Sequence, residues 1–254
     1  MKRFNLKDVT IVIPIRIDSV ERIENLLAVT NHINHNYLTT ICVLEAACYD
    51  NHILSRILPR NVIYTFVEDY DPIFHRTRYI NEMCTNVCTP FIAIWDADII
   101  IPRKQVIDAV EQLRADVCDL AYPYSGKFFD TGAIIRNYYI NHPTVSFLEK
   151  NYPLMNILYG ERCVGGCFIV RKEKYLQCGG ENEEFYGWGY EDYERIIRLE
   201  RLGMRLHRSE GHLYHLSHPR NINGTHSNYF QRERSKYIAD CVTHKTKELR
   251  ISTL

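Results

Sequence analysis

Up to Pro102, apolar residues fall into short, nearly unbroken runs, and between those runs they recur every three or four positions. Such runs read as strands buried on both faces, and the longer spacing reads as helices with one apolar side. The pattern predicts strands at Val9–Ile15, Thr40–Glu45 and Val62–Glu68, and a helix from Val20 to His32 carrying Ile23, Leu26, Leu27 and Val29. It also predicts a short helix at Ile53–Leu58 stopped by Pro59, and a helix from Arg76 to Val87 that leads into a buried run at Phe91–Pro102. Strands alternating with helices imply an α/β protein with a mostly parallel central sheet flanked by helices, whose ligands bind beyond the carboxyl ends of the strands. Arg16, Asp69, Asp71 and Asp98 all fall at such ends.

Past Pro102 the pattern is less regular. A helix is expected at Lys104–Ala115, a strand at Leu120–Tyr124 and a further strand start at Met204–Leu206. Phe128–Tyr159 is rich in Tyr, Asn and Phe with weak periodicity, and is expected to be an irregular or helical insertion beside the binding cleft. Tyr190–Leu202 predicts a helix with Glu191–Arg195 and Glu194–Arg198 pairs, with Ile196, Ile197 and Leu199 inward and a stop at Gly203. Asn228–Leu249 predicts a terminal helix with Tyr229, Phe230, Tyr237 and Ile238 on one side and many basic residues, either covering the domain or meeting an anionic membrane or a partner.

Three segments carry candidate chemistry. Gly187-Trp188-Gly189-Tyr190-Glu191-Asp192 places two adjacent carboxylates in the first turn of a helix, directly after an aromatic residue between glycines. The indole offers a flat apolar surface for a sugar ring, and a neighbouring carboxylate can accept a hydroxyl proton. Trp95-Asp96-Ala97-Asp98 ends an apolar run; on an extended backbone Asp96 and Asp98 would share one side and reach one cation. Unpaired, they would be costly among Trp95, Ile99 and Ile100, so a metal, a cationic partner or a raised pKa is implied. The third segment, His212-Leu213-Tyr214-His215-Leu216-Ser217-His218, supplies imidazoles that with a carboxylate make a site suited to Mn²⁺ and tolerant of Mg²⁺.

In this order the three segments resemble the catalytic half of a GT-A glycosyltransferase, most closely the β-1,4-galactosyltransferase and chondroitin-polymerase-like group. The resemblance spans most of the chain: Pro14-Ile15-Arg16 ends the first strand, Phe74-His75-Arg76 opens a helix, and the Asp96/Asp98 pair, Gly165-Gly166, the Gly-Trp-Gly segment and a metal histidine follow. It implies the nucleotide-diphospho-sugar transferase fold, with a Rossmann-like sheet, a UDP-sugar donor and a saccharide acceptor that can be lipid-linked. Pro14, Arg16, Arg76, Asp96, Gly166 and Trp188 would line the donor site, Arg16 and Arg76 touching the nucleotide. Asp98 with His215 or His218 would hold the metal, Asp192 would be the general base, and Glu191 with Trp188 would position the acceptor.

Three departures from the family pattern bear on specificity. His215 stands where the galactosyltransferases carry a Met three positions before the metal His, so either histidine is a candidate ligand, with His215 favoured because a Tyr-His pair here resembles the polymerase-like members. Cys163, two before Gly165-Gly166, replaces a Tyr that crowds the donor 2-position, which leaves room for an N-acetyl group and makes UDP-GalNAc or UDP-GlcNAc as plausible as UDP-Gal. Tyr190 stands where a glycine is common, so the acceptor cleft is expected to suit a different sugar. The reaction implied is a single inverting displacement in polysaccharide or glycan synthesis.

Composition narrows the classes further. At 254 residues, 46% of them apolar, the chain suits one large domain over 1–254: a nucleotide-binding half at 1–102, an acceptor and catalytic half at 103–227, and a terminal helix at 228–254. Lys plus Arg equals Asp plus Glu at 31 each, which argues against a nucleic-acid partner, although basic residues are dense from Arg201 onward. No apolar run is long enough to span a bilayer, and the nine cysteines, an odd number, suit reduced thiols; the expectation is a cytoplasmic chain, with peripheral contact at the inner face of a membrane open to it. Two other classes compete. A nucleotidylyltransferase normally carries a glycine-rich phosphate loop after the first strand, and Ile15–Val20 has no glycine. A sugar-binding protein could use Trp188 and Tyr190 but has no need of Asp96 and Asp98.

Overall fold

The strand that runs through the middle of the molecule is the first one. In β1 (Phe4–Ile15) every residue from Val9 to Ile15 is buried, as a strand covered on both faces requires. The computed structural model describes residues 2–226 and 228–251. β1 pairs in parallel with β2 (Tyr37–Ala47) on one side and β4 (Phe91–Trp95) on the other, and β3 (Val62–Glu68) extends the sheet beyond β2. As the edge strand, β3 alternates between half-buried and exposed positions. Helix α1 (Val20–Asn36) begins where the Ser19 hydroxyl caps the Arg22 amide, and buries Leu26, Val29 and Ile33 at helical spacing. A short α2 (Ile53–Ile57) and α3 (Arg76–Asn86) complete this half.

In the second half, α4 (Arg103–Arg114) leads to β6 (Leu120–Tyr122), and α7 (Lys172–Gln177), α8 (Glu191–Arg201), β10 (Leu206–Arg208) and α9 (Tyr229–Ile251) follow later. One strand of this sheet was not expected. β9 (Cys167–Arg171) lies antiparallel between β4 and β6, giving a seven-stranded sheet of order β10-β6-β9-β4-β1-β2-β3, parallel apart from β9. Its five residues include four that are buried without alternation, so nothing local separates it from a loop; pairing with two distant strands creates it.

A second, four-stranded sheet of order β5-β11-β7-β8 packs beside the first. It joins β5 (Ile99–Ile100) and β11 (Leu213–His215) to β7 (Phe128–Asp130) and β8 (Asn156–Ile157). The 128–159 segment therefore contributes two strands as well as α5 (Gly132–Asn141) and α6 (Val145–Asn151), which corrects the expectation of an irregular or helical insertion. The apolar run at Phe91–Pro102 is also not one strand. β4 stops at Trp95, and Asp96-Ala97-Asp98 forms a turn, closed by the Ile99 amide donating to the Asp96 carbonyl at 3.3 Å, that carries the chain from the first sheet to the second. Asp96 and Asp98 thus do not alternate along an extended backbone.

Two other expectations change. Glu194 does pair with Arg198, at 2.8 Å, but Arg195 turns away from Glu191 and is fully buried against Glu181 and Asp192. On α9, Ile238 and Ala239 pack against Phe185 and Tyr190, while Tyr229, Phe230 and Tyr237 face outward, so the aromatic residues do not share the Ile238 side. Among the described residues no helix is long and apolar enough to cross a membrane. Met1, Ser227 and 252–254, which the sequence reading included in its segments, lie outside the described residues.

Candidate active site

Beyond the carboxyl ends of β1 and β4 the two sheets and the start of α8 enclose a cavity of about 600 Å³. Of the residues singled out from the sequence, Pro14, Arg16, Arg76, Asp96, Asp98, Gly166, Trp188, Glu191, Asp192, His215 and His218 line it, whereas Asp69, Asp71 and His212 do not, His212 packing instead against Phe129 and Tyr152. The turn at Asp96–Asp98 divides the cavity, because the two carboxylates leave it toward different partners.

Asp98 faces the second sheet. Its Oδ2 lies 3.1 Å from His218 Nε2 and 3.8 Å from His215 Nε2, and the three ligand-type atoms all fall within 4.8 Å of one another. The far side of each ring is fixed: His215 Nδ1 is 2.7 Å from Asp130 Oδ1, and His218 Nδ1 is 2.8 Å from the Pro219 carbonyl. Both Nδ1 atoms therefore suit N–H donors, and both Nε2 lone pairs are left to point at Asp98. One carboxylate with two imidazole nitrogens makes a donor set that fits Mn²⁺. The sequence left His215 and His218 as alternatives; the geometry brings both to the same oxygen. Burial would raise the Asp98 pKa, but His215, His218 and Arg22, whose Nη1 is 3.7 Å away, outweigh it and hold the carboxyl below the usual range.

Asp96 faces the first sheet and accepts from Arg76 Nη2 at 2.5 Å. Burial raises the Asp96 pKa and the Arg76 charge opposes that rise. Burial would lower the pKa of Arg76, but Asp96, Asp192, Glu181 and Glu191 around it hold it above its ordinary value. Arg76 Nη1 is buried with no hydrogen-bond partner, a donor pointing into a site where an anion would satisfy it. Arg16 also lines the cavity. Its Nε, Nη1 and Nη2 already donate to the Ala46 carbonyl (2.8 Å), the Asp71 carbonyl (2.6 Å) and Asp69 Oδ2 (2.5 Å), so it braces the strand ends that border the cavity.

The acidic pair sits at the start of α8. Tyr190, its N-cap, has φ +68°, a left-handed backbone that costs a non-glycine residue on the order of 1 kcal/mol or more, which accounts for glycine being common at this place in the resembled group. Glu191 folds back to accept from the Gly189 amide at 2.7 Å. Burial, reinforced by the Asp192 charge and opposed by Arg76, pushes the Glu191 carboxyl up to about 7. Asp192 Oδ1 accepts from Arg195 Nη2 at 2.7 Å, and Arg195 is held in turn by Glu181 at 3.1 Å, by the Val164 carbonyl and by the Phe168 ring 4.2 Å below its guanidinium. The other oxygen, Oδ2, approaches the backbone of Gly165 so closely that a Cβ there would lie 2.5 Å from it. At Gly166, φ +80° and a would-be Cβ 2.8 Å from the Phe128 ring exclude a side chain as well. The glycine pair is therefore the space in which Asp192 sits beside the β4 turn, where Gly166 accepts the Asp96 amide at 2.9 Å.

Trp188 forms one wall. The Tyr159 ring is 6.2 Å from it and the His226 ring 5.2 Å, and Arg220 lies over Tyr159 at 5.5 Å. Cys163 is buried at the edge of the same cavity. Sequence reasoning missed Asp130, Ser217, Arg195, Tyr159 and His226. Asp130 and His215 are adjacent only because β7 and β11 pair in that register, and Ser217 Oγ donates to the same Asp130 oxygen at 2.6 Å. The one local signal was Ser217, two residues from His215.

Comparison with known proteins shows what the chain is similar to in sequence and fold. Residues 147–227, which include Gly165-Gly166, the Gly-Trp-Gly turn, the acidic pair and both histidines, match the family model described as the N-terminal domain of galactosyltransferase. The chain is 26% identical over 160 residues to human beta-1,4-galactosyltransferase 7, an alignment covering 62% of this chain and 39% of that one. It thus spans about two fifths of the length of the curated relatives it matches. Among solved structures, a mutant of Drosophila beta-1,4-galactosyltransferase 7 in complex with manganese, UDP-Gal and xylobiose aligns with a TM-score of 0.57 at 16% identity, covering 92% of this chain and 79% of that one. A mannosyltransferase from Pyrobaculum calidifontis in complex with GDP-Man and Mn²⁺ aligns at 0.54 and 15% identity, covering 85% and 58%. The fold is the GT-A fold expected from the motifs, and the resemblance to galactosyltransferases holds at the level of sequence as well.

Two outcomes follow from the geometry. Asp130→Asn should weaken Mn²⁺ binding, read by the free-ion electron paramagnetic resonance signal, by about 10- to 100-fold, because His215 loses the partner that orients it; equal affinity would show that Asp130 does not support the site. Glu191 holds its proton more tightly folded than unfolded, so its contribution to stability is full below about pH 4.5 and is lost as pH rises through about 7. Urea denaturation between pH 5 and 8 should therefore show Glu191→Gln losing less stability than the native chain on alkalinisation, by on the order of 2–3 kcal/mol; parallel curves would mean that Glu191 is not perturbed.

Proposed function

We propose that this chain is a metal-dependent inverting glycosyltransferase that moves a hexose or N-acetylhexosamine, Gal, GalNAc or GlcNAc, from a UDP-sugar to a saccharide acceptor in polysaccharide or glycan synthesis. The observation that carries the reading is the convergence, in one cavity, of the Asp98–His215–His218 cluster, a buried Arg76 donor without a partner, and the Trp188–Asp192 wall. Manganese and UDP-Gal in the Drosophila complex support the choice of metal and nucleotide, and its xylobiose supports a saccharide as acceptor.

The roles divide along the cavity. Asp98, His215 and His218 would hold the ion, which when bound supplies Lewis-acid stabilisation of the departing diphosphate. Arg76, half-buried and charged, would donate its buried, unpartnered Nη1 to the same anionic region, with Asp96 fixing its orientation. Trp188 and Tyr159 would take the apolar face of the acceptor sugar. Asp192, its Oδ1 pinned by Arg195, would accept the acceptor hydroxyl proton as that oxygen attacks the anomeric carbon on the face opposite the leaving diphosphate. Glu191, whose carboxyl burial and the Asp192 charge hold above the usual range, would position the acceptor beside it. The small, buried Cys163 supports donors carrying a 2-acetamido group.

Asp192→Asn preserves shape and the contact to Arg195 but removes the base. Transfer from the preferred UDP-sugar should fall by about 10²–10⁴-fold while UDP binding in the presence of Mn²⁺ stays within about twofold. Near-native transfer by the variant would remove Asp192 from the mechanism.

A further inference from the structure

The outward side of α9 is not explained by the sugar-transfer site. Gln231, Ser235, Ile238 and Ala239 form the inward side: Gln231 Nε2 donates to the Tyr186 carbonyl at 2.8 Å and the Trp188 carbonyl at 3.3 Å, and Ile238 and Ala239 pack on Phe185. Opposite them, Tyr229, Phe230 and Tyr237 are 68%, 83% and 70% exposed. Phe230, Arg234 and Tyr237 stand four and three residues apart, hence on one stripe, and Tyr229 stacks edge-on beside Phe230 with ring centroids 6.0 Å apart. Arg232, Arg234 and Lys236 are exposed among these rings, against the acidic Glu233 and Asp240. In sequence the helix continues with Lys245, Lys247 and Arg250 against Glu248, so its charge is positive throughout.

Large aromatic side chains held in water on a helix that has already buried its other side are a cost to an isolated molecule. Aromatic rings interleaved with arginine and lysine are the chemistry of a helix lying in the headgroup region of an anionic bilayer, where rings enter the acyl boundary and the cations meet lipid phosphates. We propose that the Tyr229–Phe230–Tyr237 side of α9 docks this protein on an anionic membrane surface. An uncharged apolar partner surface would leave Arg232, Arg234 and Lys236 without counter-charge, which favours the bilayer. Because Gln231 ties the first turn of α9 to the Trp188 carbonyl, the docked helix would hold the aromatic wall of the cavity close to that surface. The docking goes beyond the proposed transfer reaction and stands without it.

The test is co-sedimentation of the full chain with vesicles of pure phosphatidylcholine and of phosphatidylcholine containing phosphatidylglycerol, without nucleotide or sugar. The docking predicts binding to the anionic vesicles that weakens with added salt, and at least about a tenfold loss of binding in Phe230→Ser with Tyr237→Ser. Arg232→Gln with Arg234→Gln should weaken it by about tenfold or more while leaving the rings in place. All four positions are exposed, and Mn²⁺-dependent UDP binding serves as the control for folding and for the transfer site. Equal sedimentation with both vesicle types, no sedimentation with either, or undiminished binding by the ring variant would overturn the proposal. Loss of UDP binding in every protein, native chain included, would count against the transfer reading and not against docking.

Discussion

The architecture depends on pairing charges that are buried together at one end of the central sheet. Arg195 is fully buried, and an unpaired guanidinium there would cost several kcal/mol, so Glu181, Asp192 and the Val164 carbonyl must meet it at once. That requirement fixes the direction of α8, the position of the loop before β9 and the aim of Asp192. Arg76 and Asp96 repeat the arrangement one strand away, and Asp98 with its histidines repeats it on the second sheet. Each cluster is satisfied almost completely by the protein. Among the described residues two donors of these clusters lack a partner, Arg195 Nε and Arg76 Nη1, and the latter lies at the cavity where an anionic ligand would enter.

The turn at Asp96–Asp98 is what allows three such clusters to share one cavity. A strand continuing through Asp98 would have put both aspartates on one side; the bend instead passes the chain between sheets and gives each carboxylate its own partner. The glycine pair at Gly165-Gly166 lets the neighbouring loop approach this turn and leaves room for Asp192. The candidate cation ligands, a guanidinium and the proposed base Asp192 thereby come from separate parts of the fold, an arrangement that suits the preorganised charge stabilisation proposed for the site.

What could be read from the sequence were features whose cause is local. The strands at Val9–Ile15 and Val62–Glu68, the helix at α8 and the three chemical segments announce themselves by unbroken apolar runs, by helical spacing or by residue types with few structural uses. β9 was hidden because a five-residue buried run takes its identity from β4 and β6, both far away in sequence. Asp130 was hidden because only the pairing of β7 with β11 brings it to His215. Arg195 misled for a related reason: its spacing from Glu191 imitates a surface pair, whereas burial sends it to Glu181, 14 residues away. On α9 the stripe was assigned by counting apolar residues, and the pocket formed by Phe185 and Tyr190 selected Ile238 over the larger rings.

The most direct test of the central claim is UDP release from a panel of UDP-sugars, with and without Mn²⁺, by the native chain and by Asp98→Ala, whose lost carboxylate is the one oxygen ligand in the cluster. The account predicts metal-dependent release from at least one of UDP-Gal, UDP-GalNAc and UDP-GlcNAc, abolished in the variant. Release that is independent of the metal, or unchanged by Asp98→Ala, would contradict it.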